Sequence, residues 1–232
     1  MKIMEGYSGS LSSEVSQREK DHRAIVRRLA SEGMVLLEND GILPLKAGEK
    51  VALYGAGALH TIVGGTGSGT VNVRDSVSLR QGLENAGLTL TNAAWLDAYE
   101  AAYQKAYEDW RQGIYDMSIP GDFNSLYTAH SSHPMQAPDA VPITGGDGAE
   151  IAVYVISRVS GEGADRHPVK GDYLLSDTEE KQLTAICGLY RKVIVVLNIG
   201  GVIDLGFLDR YPIAALLLMS QAGQEGGNSA AD

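Results

Sequence analysis

Ile151-Ala152-Val153-Tyr154-Val155-Ile156 is the stretch whose reading decides the fold. It is apolar without interruption and rich in β-branched residues. It lacks the in–out alternation of a strand with one wet face, so it fits a strand covered on both sides. Ser157-Arg158-Val159-Ser160-Gly161-Glu162-Gly163-Ala164-Asp165-Arg166 follows directly and leads into Lys170-Gly171-Asp172. A carboxylate between two glycines, just past the carboxyl end of a buried strand, stands on an exposed, tightly turning loop. In open α/β sheets that edge is where ligands bind. The flanking glycines keep neighbouring side chains away, so a substrate can come close to the Glu162 carboxyl group. Glu162 is therefore read as a proton donor and acceptor, with a solvated loop glutamate as the alternative on local pattern alone.

Further strands lie on either side of this one. Val193 to Leu197 is almost purely β-branched and aliphatic, Ile213 to Met219 is another continuous apolar run, Val51 to Tyr54 is a short buried strand, and Leu88 to Leu90 is a weaker one. Amphipathic helices separate them. Ser16-Gln17-Arg18-Glu19 has capping-box spacing and opens a helix with Ala24, Ile25, Leu29, Gly33 and Leu36 to one side, ended by Asn39-Asp40-Gly41. Asp75 or Ser76 caps a helix through Asn85, stopped by Gly87. A helix from about Ala94 to Arg111 carries Trp95, Tyr99, Tyr103 and Tyr107 at every fourth position, a stripe read as core packing rather than a sugar-stacking platform. Ser176-Asp177-Thr178-Glu179 is a second capping box, opening a helix to Tyr190 in which Cys187 shares a face with Leu183, Ile186 and Leu189. Continuous apolar strands separated by such helices predict an α/β fold with a mostly parallel sheet of five or six strands flanked by helices. Residues 1–15 read as a flexible N-terminal arm and 113–148, rich in Pro, Ser, Gly and His, as a loop insertion. The run from Gly223 to Asp232 reads as the opening of one more helix, so the chain is expected to be a piece of a longer protein.

Composition narrows the function classes. With 232 residues, 44 % of them apolar, the chain can bury a sizeable core. Asp and Glu outnumber Lys and Arg by 29 to 19, a formal net charge of −10, and no basic cluster exists, which argues against a nucleic-acid partner. The longest strongly apolar run is too short to span a bilayer, and the N-terminus lacks the apolar core of a signal peptide. A single cysteine excludes an internal disulfide and fits a reducing compartment, so a cytoplasmic protein with no membrane partner is expected. His22, His60, His130, His133 and His167 show no ligand spacing with Cys or carboxylates, so neither a metal site nor a cofactor is expected.

Two glycine-rich stretches follow the Val51–Tyr54 strand. Gly55-Ala56-Gly57-Ala58-Leu59-His60 begins like a dinucleotide fingerprint, but His60 stands where the third glycine belongs and loop is expected where a helix should start. Gly64-Gly65-Thr66-Gly67-Ser68-Gly69-Thr70 imitates a phosphate loop without its lysine. What these residues offer is a backbone-rich loop with the Thr66 and Ser68 hydroxyls at a strand's carboxyl end, better suited to a neutral polyol than to a nucleotide.

Taken together, five segments resemble the family-3 glycoside hydrolases of β-glucosidase type. They are Ala30 to Asn39 with Leu43-Pro44-Leu45, Gly64 to Gly69, Ile156 to Arg166 with Lys170-Gly171-Asp172, Leu197-Asn198-Ile199-Gly200-Gly201 with Ile203-Asp204, and Gln224 to Asn228. The resemblance implies that residues 16–232 form that family's (α/β)₆-sandwich domain and that the catalytic (β/α)₈ barrel, with its aspartate nucleophile, is absent from this chain. It implies retaining hydrolysis of a β-glucoside or related oligosaccharide, with Glu162 as the acid/base and Ser68 as a hydrogen-bond donor to the sugar. Thr66 and Arg158 are further candidate substrate contacts, although ion pairs that shape the loop are the preferred reading of Arg158, Asp165 and Arg166. Because Met1 and a short arm precede the sandwich, a member with reversed domain order is expected, or else a start methionine on an internal piece. The alternatives in other function classes are a non-catalytic carbohydrate-binding or scaffolding module and a nucleotide-binding α/β domain.

Overall fold

The computed structural model describes residues 13–66, 73–145, 148–160 and 166–232. The chain forms two compact units, one from residues 1–91 and 145–232 and one from 92–144.

The first unit is built on a six-stranded sheet. Its strands are β1 (Val35–Asn39), β2 (Lys50–Tyr54), β3 (Thr89–Leu90), β4 (Ile151–Arg158), β5 (Lys192–Ile199) and β6 (Ile213–Leu218), in the spatial order β1-β6-β5-β4-β2-β3. β2 to β6 pair in parallel, and only β1 runs antiparallel, against β6. β4 and β5 lie at the centre, and Ala152 to Ile156 and Val193 to Leu197 are buried throughout. Each such aliphatic side chain contributes about 1.5–3 kcal/mol through the surface it removes from water. The α/β reading holds, with six strands.

Aromatic residues enter this core with their polar ends satisfied. The Tyr54 and Tyr190 hydroxyls meet at 2.6 Å, and Tyr154 Oη donates to Gln182 Oε1 at 3.0 Å. Helix α6 (Asp177–Leu189), capped by Ser176 with Glu179 reaching back, packs on β4 and β5. Its inner face is Leu183 and Ile186, whereas Cys187 is half-buried and Leu189 exposed, so the expected four-residue face is narrower than read. Burial pushes the Cys187 thiol pKa up.

Helix α1 (Gln17–Glu32) has the capping box read at Ser16 and Glu19. It stops at Gly33, six residues before the expected end, because Val35 to Asn39 is strand β1. Pairing with the open edge of β6 satisfies backbone groups that continued helix would leave to solvent, and a β-branched residue opens the strand. After β2 the chain makes a one-turn helix, α2 (Ala56–Leu59), where loop was expected. Gly55 has φ +94°, and a Cβ there would lie 2.2 Å from Val155 O, so close packing on β4 demands this glycine. Helix α3 (Leu79–Asn85) is capped by Ser78, two or three residues later than read. The final residues form α7 (Gly226–Ala231), which packs on α1 and α3.

The second unit contains α4 (Ala93–Met117) and α5 (Phe123–Ser132), packed on each other. The segment 113–148 is therefore not loop throughout: it holds the last turn of α4 and all of α5. Asp122 caps α5 by accepting from Asn124 N and Ser125 N. Of the aromatic stripe, Trp95 and Tyr99 are buried and stacked with centroids 4.9 Å apart, while Tyr107 is exposed, so packing explains half of it. Trp110 Nε1 donates to His133 O at 2.6 Å and its ring meets His130, which places both histidines in the helix contact. No helix among the described residues is long and apolar enough to cross a membrane.

Candidate functional site at the carboxyl edge of the sheet

Because β2, β4, β5 and β6 are parallel, their carboxyl ends line one edge, and the loops that leave them are cross-tied there. Asn198, at the end of β5 and fully buried, is the central tie. Its Oδ1 accepts from Ile62 N at 2.6 Å, and its Nδ2 donates to Ile62 O at 2.9 Å and to Ser220 O at 2.8 Å. One side chain thus holds the loop after β2 and the loop after β6. A second bond joins these loops directly, from Gly223 N to Val63 O at 3.0 Å. The loop after β2 is also bound to the one after β4, since Thr66 N donates to Ser160 O at 2.9 Å.

The loop after β4 is clamped at its base. Arg166 Nη1 pairs with Asp172 Oδ1 at 2.8 Å, and its Nη2 donates to Val159 O at 2.9 Å and Gly200 O at 3.2 Å. Asp172 also accepts from His167 N at 2.8 Å. Burial alone would raise the Asp172 pKa, but the His167 N–H and the Arg166 guanidinium outweigh it and hold the carboxyl below its usual range. The chain that leaves at Val159 is therefore brought back beside its starting point at Arg166.

Of the candidate site residues, Glu162 and Ser68 lie outside the described residues. Thr66 is exposed at the edge, with its N–H committed to Ser160. Arg158 is buried and engages every guanidinium donor within the protein. It makes two 2.6 Å bonds to the Glu179 carboxylate, and donates to Asp172 O at 2.9 Å, Ser157 O at 2.8 Å and Leu174 O at 3.5 Å. Its guanidinium is thus held in a bidentate ion pair with Glu179 and by three backbone carbonyls.

Asn198, Gly200 and Gln221 are site residues to which sequence reading gave no role. A Cβ on Gly200 would lie 2.0 Å from Ser160 Oγ and 2.6 Å from Gln221 Cδ, so the edge closes only over a glycine. Gln221 Nε2 and Ser157 Oγ are buried there without a hydrogen-bond partner among the described residues. A buried Asn at the end of an otherwise apolar strand was the available signal, because burial of such an amide requires partners.

Comparison with known proteins agrees with this architecture. Residues 34–232 match the model of the glycosyl hydrolase family 3 C-terminal domain. The chain belongs to glycosyl hydrolase family 3. It is 30 % identical over 204 residues to a beta-glucosidase of Ruminococcus albus, covering 87 % of this chain and 20 % of that one. To beta-glucosidase A of Butyrivibrio fibrisolvens it is 32 % identical over 227 residues, covering 87 % and 25 %. Among solved structures, beta-glucosidase 3B from Thermotoga neapolitana in complex with glucose superposes with a TM-score of 0.64 at 32 % identity, covering 92 % of this chain and 29 % of that one. This family-3 domain thus spans between a fifth and a third of the length of these relatives.

Proposed function

We propose that this family-3 domain carries the acid/base half of a retaining β-glucosidase, with Glu162 as the working carboxyl group and the Thr66 and Ser68 hydroxyls directed to the sugar. The observation that carries the reading is the Thr66 N–H to Ser160 O bond, which ties the hydroxyl-bearing loop to the loop of Glu162 two residues before it. A carboxyl group and neutral hydrogen-bonding groups on neighbouring loops suit a glycosidic oxygen and its sugar hydroxyls. The clamp of Arg166 and Asp172 supports the same reading, because an acid/base group must be held to a fraction of an ångström while its loop tip stays open to substrate.

In a retaining mechanism the two carboxyl groups stand about 5–5.5 Å apart. A carboxylate on the companion domain attacks the anomeric carbon as Glu162 gives its proton to the departing oxygen, and the sugar becomes covalently bound. Glu162, now ionised, takes a proton from water as that water attacks the same carbon, and the carboxylate nucleophile is released. For the first step Glu162 must stay protonated near neutral pH, which requires an apolar or anionic enclosure. The companion domain is proposed to complete that enclosure, so the 232-residue chain by itself is expected to hydrolyse no aryl β-glucoside.

The test uses the full-length polypeptide with Glu162→Ala and a series of β-glucosides of graded leaving-group acidity. The variant should lose most on poor leaving groups and keep part of its rate on activated aryl glucosides. Added azide should raise its turnover and yield the β-glucosyl azide, since an anion needs no general base to reach the intermediate. Ordinary rates on cellobiose-like substrates would remove Glu162 from this role.

A further inference from the structure

Helix α5 turns its largest rings outward. Phe123 and Tyr127, one turn apart, are 74 % and 62 % exposed. Their ring centroids lie 6.3 Å apart, with planes 25° from parallel. Trp95 and Tyr99 of α4 also stack, but they are buried, so exposure is what sets the α5 pair apart. Two large rings held in water forgo the stabilisation that burial in a core would give them. Exposed apolar surface rimmed by polar groups marks places where ligands bind.

The polar rim stands on the same helix. A cavity of about 370 Å³ opens beside α5, lined by Asn124, Ser125, Thr128, Ala129, Ser132 and His133, with Met117 supplied by α4. Asn124 and Thr128 directly follow Phe123 and Tyr127, so at about 100° per residue the ring pair borders the cavity wall. The Asn124 amide and the Thr128 and Ser132 hydroxyls have no hydrogen-bond partner among the described residues. Ser125 Oγ accepts from Ile119 N at 2.9 Å, which leaves its own hydroxyl hydrogen to donate. His133 Nδ1 lies 3.0 Å from Ala129 O and donates to it, so in the uncharged ring Nε2 is an open acceptor. Donors and acceptors thus share one wall with the apolar Met117 and Ala129 side chains. The volume falls within the roughly 300–1,000 Å³ of small-molecule sites.

We propose that this cavity and the Phe123–Tyr127 pair form a binding site for a neutral pyranose saccharide of mono- or disaccharide size. A pyranose presents C–H groups on its faces and hydroxyls around its edge, which is the chemistry that exposed rings beside an amide, hydroxyls and an imidazole nitrogen accept. The other ligand classes fit worse. No lysine or arginine lines the cavity to hold a phosphate, and one imidazole without a carboxylate is too little for a metal ion. An apolar protein surface would cover the rings but strand the amide and hydroxyls without partners. Membership of a glycosyl hydrolase family points to the same class of ligand. The site lies wholly within the second unit and shares no residue with the loops of Thr66, Ser68 and Glu162, so it stands or falls apart from the acid/base reading.

The experiment is a titration of the isotope-labelled 232-residue chain with cellobiose, followed through backbone amide NMR shifts. Saturable shifts should appear at Met117, Thr128 and His133, and their absence overturns the proposal. Sorbitol, an open-chain polyol that cannot lay a ring on the aromatic pair, should give no saturable shift; a response equal to that of cellobiose refutes the site. Tyr127→Ala should weaken cellobiose binding about tenfold. Thr128→Val, nearly the same shape without the hydroxyl, should weaken it severalfold. Both side chains are exposed, so the urea midpoint should stay at the wild-type value, and undiminished affinity in both variants overturns the proposal. Shifts at these residues that follow protein concentration in the absence of sugar mean that a second copy occupies the face, and the proposal fails. Ser68→Ala and Glu162→Ala should leave the titration unchanged. If either abolishes it, the sugar binds at the acid/base loops instead and the proposed function survives without this site. Intact binding here beside an idle Glu162 is the opposite result.

Discussion

Asn198→Ala probes the tie that holds the carboxyl edge together. The substitution removes three hydrogen bonds, to Ile62 N, Ile62 O and Ser220 O, from a side chain with no solvent exposure. A net contribution of about 0.5–1.5 kcal/mol per bond gives a loss of about 3 kcal/mol for the three. Urea denaturation of the 232-residue chain should show a lower midpoint with an unchanged slope, because the same surface is exposed on unfolding. Asn198→Asp is the sharper control. It keeps an acceptor for Ile62 N but turns a carboxylate oxygen toward two carbonyl oxygens, so at neutral pH it should destabilise more than alanine does. In the full-length polypeptide, either variant should raise KM more than it lowers kcat, because the loop it frees is the one that leads to Thr66. A loss under about 1 kcal/mol for alanine, or an aspartate variant as stable as wild type, would refute the assignment of Asn198 as the tie.

Two further outcomes test the clamp around the loop after β4. Arg158→Ala strands a nearly buried Glu179 carboxylate and should cost about 3–5 kcal/mol in the same denaturation assay, whereas Arg158→Lys, which keeps the charge and loses the bidentate fork, should recover only part of that; equal stability of alanine and wild type would show the pair to be idle. Asp172 has a carboxyl pKa lowered from 3.8 by folding, so its contribution is complete above that value and disappears as pH falls through the lower folded pKa. Wild type should therefore lose its stability advantage over Asp172→Asn in acid melts below that range, and a gap that widened there would contradict the clamp.

The central strands were legible because their physics is local. A strand covered on both faces must be apolar at every position, so Ile151–Ile156, Val193–Leu197 and Ile213–Met219 announce both strand and parallel sheet. β1 was not legible for the converse reason. Val35 to Asn39 continues the apolar period of α1, and only the vacant edge of β6, almost two hundred residues on, makes extended backbone the better solution. The exposure of Ile25 and Leu29 belongs to the same class of error, since periodicity identifies a face without saying what covers it. Helix α5 was missed because its composition is polar and aromatic with no regular stripe, and it is held by Asp122 and by contact with α4.

The site divides along the same line. Glu162 and Ser68, which lie outside the described residues, are proposed from short motifs whose glycines and hydroxyls are contiguous in sequence. The residues that hold their loops are not contiguous: Asn198 acts on Ile62, Arg158 on Glu179, and Arg166 on Gly200. Glu179 shows why such roles stay hidden. Its spacing from Ser176 fully accounts for it as the capping-box residue of α6, yet the same carboxylate receives both Nη atoms of Arg158. A helix start is thereby coupled to the end of β4, so the element that fixes the loop is anchored in the core rather than at the surface. That coupling fits the proposed role, in which Glu162 would meet a second carboxylate on a companion domain and neither half could correct the other's position once they met.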